Sequence, residues 1–197
     1  MSRLLLASRN RGKLREMRRL LPGFTLETLD EHPEVPEVEE TGNSFEENAA
    51  LKAVAAARAS GLWSLGEDSG LEVDALGGAP GVHSARYAGV HGDDEANNQK
   101  LIAELSGCHD RGARYVCALV LANPDGKAVA SVRGESEGSI AETPRGTGGF
   151  GYDPYFISEG KAHTNAELSP DEKDAISHRG AALRRFLPVL SQHLRGA

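Results

Sequence analysis

The alternation of short apolar runs with helix-like segments constrains the fold more than any other feature of the sequence. Leu4–Ala7 is an apolar run typical of a buried strand, and a polar turn over Ser8–Gly12 follows it directly. Apolar residues then recur at helical spacing over Lys13–Leu21, and Pro22-Gly23 ends that pattern. A strand that passes directly into an amphipathic helix is typical of α/β proteins.

A second helix is predicted after an acidic segment that covers residues 30–43. Ser44 and Glu47 have the spacing of a capping box, in which the hydroxyl and the carboxylate each accept a hydrogen bond from a free amide at the helix start. The alanine-rich sequence that follows predicts a helix to about Ser60, which stops at Gly61.

The remaining pattern predicts further strands and helices in mixed order. We expect two strands, Leu62–Glu67 and Leu71–Leu76, separated by a turn at Asp68–Gly70. A helix over Asp93–Leu105 and a hairpin of Arg114–Ala122 with Lys127–Glu135 should follow. The last helix should run from Ser169 to about Leu187, before Pro188. The sequence therefore predicts an α/β fold with a mixed β-sheet and flanking helices, in one domain over residues 1–197.

Composition excludes several classes of function. The chain has 197 residues and a net charge of −7, so we expect no binding to nucleic acid, which requires neutralisation of many phosphates. Cys108 and Cys117 have neither disulfide nor metal spacing. The apolar start is too short for a signal peptide, and no apolar run reaches the roughly 18 residues of a membrane span. We expect a cytoplasmic protein without membrane contact.

The first candidate binding segment lies where the first strand meets the first helix. Ser8, Asn10 and Lys13 are placed there. The free backbone amides and the positive end of the helix dipole favour binding of an anion, and the lysine adds a full positive charge. A capped helix start with a solvated lysine is the alternative. Asn48 and Lys52 are four residues apart on the alanine-rich helix and so share one face, where a simple role in solubility is the alternative.

A candidate metal site is centred on Glu67-Asp68-Ser69-Gly70. Carboxylates at a strand end are suited to a hard, oxygen-preferring ion such as Mg²⁺. The pair Glu39-Glu40 precedes the capped helix and could supply a second side of the site. An ordinary acidic turn is the alternative interpretation.

A candidate nucleoside site combines a glycine-rich loop with the last helix. Within Gly146–Pro154, the glycines allow close approach of the backbone to a ligand, and Phe150 and Tyr152 offer ring faces for stacking on a base. The last helix gathers hydrogen-bond donors within two turns, namely Lys173, Ser177, His178 and Arg179, and a basic helix surface is the alternative.

These segments, in this order, strongly resemble the inosine triphosphate pyrophosphatase family, and the likeness covers residues 3 to about 187. The matching stretches are Ser8–Lys13, Glu39–Gly42, Phe45–Lys52, Asp68–Leu71, Gly77–Gly81, Ser84–Gly89, Gly146–Pro154 and Ser177–Arg179. Position 67 departs from the family pattern, because it is Glu where many members have a second Asp.

The resemblance implies an elongated, two-lobed domain with a central active-site cleft, usually as a homodimer. It implies Mg²⁺-dependent hydrolysis of XTP, ITP and dITP to the monophosphate and pyrophosphate. Asp68 would be the general base and a metal ligand, with Glu40 as the second metal carboxylate. The implied substrate-binding residues are Ser8, Arg9, Asn10, Arg11, Gly12, Lys13 and Lys52 for the phosphates, Ser69, and, for the nucleoside, Phe150, Gly151, Tyr152, Asp153, Lys173, His178 and Arg179.

Donors such as His178 and Arg179 suit the keto oxygen at position 6 of inosine and xanthine, and they would be poorly paired with adenine. Two other functions stay open. One is a pyrophosphatase for pyrimidine or modified nucleotides, as in the septum-associated family of similar fold. The other is a nucleotide-binding regulator without catalysis, which the presence of Lys13, Glu40 and Asp68 disfavours.

Overall fold

The computed structural model describes residues 3–194. Within this range six strands form one sheet: β1 (Arg3–Leu6), β2 (Thr25–Thr28), β3 (Ser64–Val73), β4 (Gly112–Ala122), β5 (Ala128–Ile140) and β6 (Phe156–Ser158). The α-helices are α1 (Arg11–Leu20), α2 (Phe45–Ser60), α3 (Asp94–Glu104), α4 (Pro170–Ile176) and α5 (His178–Leu194). None of the helices in the described range is long and apolar enough to cross a membrane.

The sheet has the strand order β2-β1-β3-β4-β5-β6. Strand β1 pairs in parallel with β2, where Leu5 lies opposite Glu27, and with β3, where Leu6 lies opposite Leu65. At the other end β5 and β6 are antiparallel, with Ser139 opposite Ile157. The sheet is therefore mixed, and the predicted α/β class is confirmed.

The chain forms two compact units. The first comprises the residues up to Asp68, Cys117–Gly134 and the residues from Ala182 onward, and the second comprises Ser69–Val116 and Glu135–Ala181. Strands β3, β4 and β5 and helix α5 each contribute residues to both units.

The core of the first unit explains why Leu4–Ala7 is continuously apolar. Leu4 and Leu6 are buried among residues of α1 and α5, whereas Leu5 and Ala7 join Val35 and Ala56 in a separate cluster. Because successive side chains of a strand point to opposite faces, β1 is buried on both faces. Trp63 also packs on this core, with its ring centroid 5.8 Å from that of His193.

The core of the second unit is richer in aromatic residues. Tyr115, Tyr152 and Phe156 are buried there with leucines of β3 and α3, and the ring centroids of Tyr115 and Phe156 are 4.6 Å apart. Tyr87 and Tyr155 pack against the same cluster.

The predicted turn at Asp68–Gly70 is wrong. These residues lie inside the single strand β3, which is buried over nearly its whole length and lies between β1 and β4 in the sheet. Backbone pairing and burial outweigh the local turn preference of an Asp-Ser-Gly sequence.

The predicted single last helix is also wrong. Ser177 has extended backbone angles (φ −70°, ψ 154°), which end α4 and start α5. Its side-chain oxygen accepts a hydrogen bond from the Gly180 amide at 3.0 Å and so caps α5. The helix then continues through Pro188 to Leu194, since Leu183, Phe186 and Leu190 are buried in the core.

The start of α2 is confirmed except for one bond of the capping box. The Ser44 hydroxyl accepts from the Glu47 amide at 3.2 Å, as predicted. The Glu47 carboxylate instead accepts from the amide of Asn43 at 2.7 Å, which anchors the end of the acidic segment. Gly61 ends α2 with φ +69°.

Candidate active site

The start of α1 is shaped by Asn10. Its side-chain oxygen accepts hydrogen bonds from the amides of Gly12 (2.9 Å) and Lys13 (3.1 Å), so the helix begins at Arg11, two residues before the predicted start at Lys13. The Ser8 hydroxyl accepts from the Asn10 amide at 3.2 Å. The helix N-terminus and the Lys13 ammonium therefore lie at the end of β1, an arrangement that favours an anion.

Lys52 holds two carboxylates of the first unit together. Its Nζ donates to Glu40 Oε1 at 2.7 Å and to Asp68 Oδ1 at 3.0 Å. The Lys52 and Asp68 side chains are only 14% and 7% exposed. The interaction is therefore screened far less than a surface salt bridge.

Burial raises the pKa of Asp68, and the charge of Glu40 raises it further, although Lys52 and Lys13 both act to lower it. Burial acts to lower the pKa of Lys52, but the charges of Asp68 and Glu40 outweigh burial and raise it. Lys52 therefore stays charged, while Asp68 is a stronger proton acceptor than an exposed aspartate.

Asn48 was paired with Lys52 from the sequence but was given no role, and the structure places it against Asp68. It is fully buried, and its Nδ2 donates to Asp68 Oδ2 at 3.2 Å while its Oδ1 accepts from the Gly42 amide at 2.8 Å. The signal was present in the sequence, because an asparagine is unfavourable inside a helix unless its amide has partners.

Glu67 lies next to Asp68 in β3 but contacts different residues. Its Oε2 is 3.4 Å from Lys13 Nζ, and its Oε1 accepts from Cys117 Sγ at 3.7 Å. The side chain is 1% exposed. The glutamate that departs from the family pattern is therefore the buried counter-charge of Lys13.

The first unit offers donors for a hard divalent cation. One oxygen of Glu40 and one oxygen of Asp68 contact Lys52 Nζ, so the two carboxylates lie beside the same ammonium group. Residues 3–194 contain no group of three or more His, Cys, Asp or Glu arranged for a metal. Two carboxylates fit Mg²⁺, which commonly takes its other ligands from water and substrate phosphates.

Phe150 is the candidate stacking residue of the second unit. Lys173 Nζ lies 4.9 Å and Arg179 Cζ 5.9 Å from its ring centroid. Asp153 Oδ2 accepts from the Phe150 amide at 2.8 Å and from Lys173 Nζ at 2.6 Å. Asp153 thus fixes both the backbone of Phe150 and a cation close to its ring.

The other aromatic residue of the loop does not offer a free ring face. Tyr152 is 4% exposed, belongs to the core of the second unit, and donates its hydroxyl to the Ser84 carbonyl oxygen at 2.8 Å. Burial raises its pKa. The expectation that its ring stacks on a base therefore lacks support, and any contact with substrate would come from its backbone.

Gly151 has both of its peptide groups engaged by α3. Its amide donates to Asp94 Oδ2 at 2.7 Å, and its carbonyl oxygen accepts from Asn98 Nδ2 at 2.9 Å. Sequence patterns gave no reason to connect α3 with the glycine-rich loop.

The start of α5 brings two predicted residues into the second unit. The ring of His178 stacks on Tyr115, with centroids 4.7 Å apart and planes at 12°. Arg179 is 1% exposed and donates from Nη2 to Ser69 Oγ at 3.2 Å. In the first unit, Arg9 is exposed and lies 3.4 Å from Asp30 Oδ1, and Asn10 and Arg11 are exposed as well.

These features define an α/β protein whose first unit holds a buried lysine–carboxylate site and whose second unit holds an aromatic–cation site. The family model described as the Ham1 family matches residues 4–189. The chain belongs to the Ham1 family, and the resemblance predicted from the sequence is confirmed.

Two similar proteins carry the name dITP/XTP pyrophosphatase, and a third has a solved structure. A dITP/XTP pyrophosphatase of Streptomyces avermitilis is 52% identical over 98% of this chain and 100% of its own length. One of Mycobacterium tuberculosis is 53% identical, over 96% of this chain and 95% of its own length. A HAM1 protein from Coxiella burnetii has a solved structure with TM-score 0.88 and 44% identity, covering 98% and 100% of the two chains.

Proposed function

We propose that this chain hydrolyses non-standard purine nucleoside triphosphates (XTP, ITP and dITP) to the monophosphate and pyrophosphate, and so removes them from the nucleotide pool. The relatives named dITP/XTP pyrophosphatase align over nearly their whole length at about half identity, which supports the same reaction here. The chain is accordingly a hydrolase of nucleoside triphosphates.

The observation that carries this proposal is the contact of Lys52 with both Glu40 and Asp68. A buried carboxylate with a raised pKa can accept a proton from water, and a lysine beside it can neutralise phosphate oxygens. Lys13 adds a second positive charge close enough to act on the pKa of Asp68. Hydrolysis of a phosphoanhydride requires this combination of charges.

We assign the triphosphate to the first unit, where Ser8 to Lys13 and Lys52 would contact its oxygens. Glu40 and Asp68 would hold Mg²⁺, as the donor set described above allows. When bound, a divalent cation lowers the charge repulsion between the phosphates and the attacking oxygen.

In the reaction, a water oxygen forms a bond with the α-phosphorus as the bond from that phosphorus to the α–β bridging oxygen breaks. Pyrophosphate leaves with the bridging oxygen, and Asp68 receives the proton of the water, either on the carboxylate oxygen that does not hold Mg²⁺ or through an intervening water. Lys52 neutralises the charge that develops on the leaving group, while Lys13 holds the phosphates of the bound substrate. No covalent bond to the protein is formed.

We assign the base to the second unit. Phe150 would stack on the purine, and Lys173, His178 and Arg179 would supply donors for the keto oxygen at position 6. Asp153 and Gly151 would fix the conformation of the loop, and the backbone of Tyr152 would contact the substrate. Ser69, whose hydroxyl accepts a hydrogen bond from Arg179, would also contact the substrate. Adenine carries an amino donor at position 6, so ATP would leave these donors poorly paired.

Pyrophosphate release tests this proposal across ITP, dITP, XTP, GTP, ATP, dUTP and methylated dTTP, with and without Mg²⁺. We expect release from the first three, dependent on Mg²⁺. A preference for dUTP or methylated dTTP would overturn the purine assignment. Nucleotide binding without pyrophosphate release would overturn the enzymatic one.

The variant Asp68→Asn tests the catalytic residue. Loss of a general base commonly costs about 10² to 10⁴ in rate, and we expect dITP hydrolysis to fall by at least that factor with an unchanged circular dichroism spectrum. Asp125→Asn, in the turn between β4 and β5, is the matched control and should hydrolyse dITP at the wild-type rate. Wild-type activity in Asp68→Asn would exclude the proposed role.

We also propose that residues 1–197 act as one pyrophosphatase domain, that the protein is a homodimer, and that it works in the cytoplasm. These statements rest on the family resemblance. Light scattering of the purified protein tests the dimer, since a mass of one chain would contradict it.

A further inference from the structure

The backbone N–H and the backbone carbonyl oxygen of Gly151 are both held by one helix. Asp94 Oδ2 accepts from its amide at 2.7 Å, and Asn98 Nδ2 donates to its carbonyl oxygen at 2.9 Å. Asp94 and Asn98 are four residues apart and therefore neighbours on one face of α3. One face of α3 thus fixes both hydrogen-bonding groups of a single loop residue.

The two contacts differ in environment. Asp94 is exposed and lies in the first turn of α3, where a negative charge is favourable, and its bond to the Gly151 amide is charge-assisted. Asn98 is 8% exposed and also donates to the Asp94 carbonyl oxygen at 2.8 Å. Asn98 therefore links the loop to the backbone of the helix itself.

The residues before Phe150 are held by backbone hydrogen bonds, because the Arg145 amide donates to the Pro154 carbonyl oxygen and the Gly148 amide to the Ala166 carbonyl oxygen, both at 2.9 Å. Residues 142–149 are exposed, so burial of apolar side chains does not hold them. Phe150 follows them, with its amide bound to Asp153 Oδ2 and its ring near Lys173 and Arg179. The conformation of Phe150 is set by Asp153 at its own amide, by the α3 contacts at Gly151, and by the buried Tyr152 beyond them.

We propose that Asp94 and Asn98 are positioning residues for base recognition, which hold Gly151 so that the Phe150 ring presents a stacking surface of fixed orientation. The proposal rests on the proposed function, because it concerns the base-binding part of that site. A stacking contact needs a defined ring plane, and a fixed ring loses less conformational entropy when a ligand binds.

Gly151 therefore acts on the base site through its backbone conformation more than through a hydrogen bond to the nucleotide. Its amide is already engaged, so that group is not available to a nucleotide. Its φ of +63° is a conformation that other residues rarely adopt, although the position that an alanine side-chain carbon would take has no atom within 4 Å. A Gly151→Ala substitution would therefore strain the loop without a steric clash.

The test compares Asp94→Ala, Asn98→Ala and Gly151→Ala with the wild type. We expect each to raise KM for dITP about tenfold, the scale of one lost polar contact, with kcat changed less than threefold. Calorimetry should show weaker binding of inosine 5′-monophosphate by the same factor, and unchanged binding of inorganic pyrophosphate, which lacks a base.

Conservative and neighbouring variants separate positioning from general stability. Asp94→Asn keeps an acceptor oxygen and should restore most of the affinity lost in Asp94→Ala. Gln99→Ala changes an exposed α3 residue that pairs with Glu95 and should leave KM unchanged. If the buried Asn98→Ala fails to fold, the exposed Asp94→Ala decides the question alone.

Three outcomes would overturn the proposal: unchanged KM in Asp94→Ala and Gly151→Ala, equal weakening of monophosphate and pyrophosphate, or a fall in kcat at constant KM. Failure of the proposed function has a different signature. In that case the wild type itself would neither hydrolyse dITP nor bind inosine 5′-monophosphate.

Discussion

The two oxygens of the Asp68 carboxylate have different hydrogen-bond donors. Oδ1 accepts from Lys52 and Oδ2 from Asn48, and these two donors are four residues apart on one face of α2. Asn48 also binds the amide of Gly42, two residues beyond Glu40. A single neutral amide therefore fixes the orientation of Asp68 and the end of the loop that carries Glu40.

Leucine is close to asparagine in volume but has no hydrogen-bonding groups. The variant Asn48→Leu should lower kcat for dITP about tenfold or more, with a smaller effect on KM, because Asp68 loses one of its hydrogen-bond donors. We also expect a loss of about 1–3 kcal/mol in the free energy of unfolding, since buried polar groups lose their partner. Steady-state kinetics and urea denaturation measure the two effects. Glu47→Ala removes a neighbouring loop anchor without touching Asp68, and an equal fall in kcat there would refute the role of Asn48.

Lys13 is placed to act on binding, because its ammonium lies at the start of α1 beside the buried Glu67 carboxylate. Lys13→Ala should raise KM for dITP about tenfold while kcat falls less, since a positive charge on the phosphates of bound substrate contributes to ground-state affinity. Arg15→Ala, an exposed charge on the same helix, provides the comparison. A loss confined to kcat would contradict this assignment.

At the scale of elements, α2 reaches Asp68 because it lies unusually close to β3. A side-chain carbon added at Gly66 would be 2.0 Å from the Ala49 carbonyl oxygen and 2.8 Å from the Ala53 amide. Ala49 and Ala53 are themselves fully buried. Small residues on both elements permit the approach that brings Asn48 and Lys52 to the Asp68 carboxylate.

We therefore expect Gly66→Ala to lower the free energy of unfolding by about 1–3 kcal/mol, the usual cost of overpacking, and to reduce dITP hydrolysis as α2 shifts. Gly23→Ala is the matched control, because nothing lies within 4 Å of the added carbon. Thermal denaturation of both variants checks the difference. Equal melting temperatures would show that the contact is not tight.

The sequence predicted elements whose signals are local and missed those decided by distant contacts. The start and end of α2 follow from Ser44 and Gly61, which act on their own helix. The continuity of β3 through Asp68 depends on its burial between two other strands, which no local signal contains. The break at Ser177 could not be anticipated either, because a capping serine is hard to distinguish from a serine inside a helix.

The same distinction holds for the site. The sequence marked Lys52 and Asp68 as candidates, but their contact joins residues 16 positions apart through packing of α2 on β3. The α3 contacts with Gly151 span 53 and 57 positions and were not predicted. Residue type revealed the candidates, whereas the partners of each residue required the fold.

At the scale of the whole molecule, stability should depend on pH through His32. Its ring nitrogens lie 2.9 Å from Glu34 Oε1 and 2.7 Å from Glu27 Oε2, and these carboxylates raise its pKa. The imidazolium form is therefore favoured in the folded state. The resulting stabilisation is complete below the unfolded pKa of about 6.5 and is lost as pH rises through the raised folded pKa.

His32→Gln should accordingly lower the melting temperature more at pH 6 than at pH 8.5. The difference should shrink in high salt, because Glu34 is 48% exposed and its interaction is screened. Calorimetric scans of both proteins across this range make the comparison. A difference in melting temperature that is constant with pH would indicate that the imidazole stays neutral.

The distribution of aromatic residues gives the two units separate optical signatures. The one tryptophan of the sequence, Trp63, packs in the first unit beside His193. All four tyrosines, at positions 87, 115, 152 and 155, belong to the second. Fluorescence excited selectively at tryptophan therefore follows the loss of structure around one core, and tyrosine absorbance follows the other. The unlabelled protein thus carries its own pair of reporters for asking whether both cores melt in a single transition.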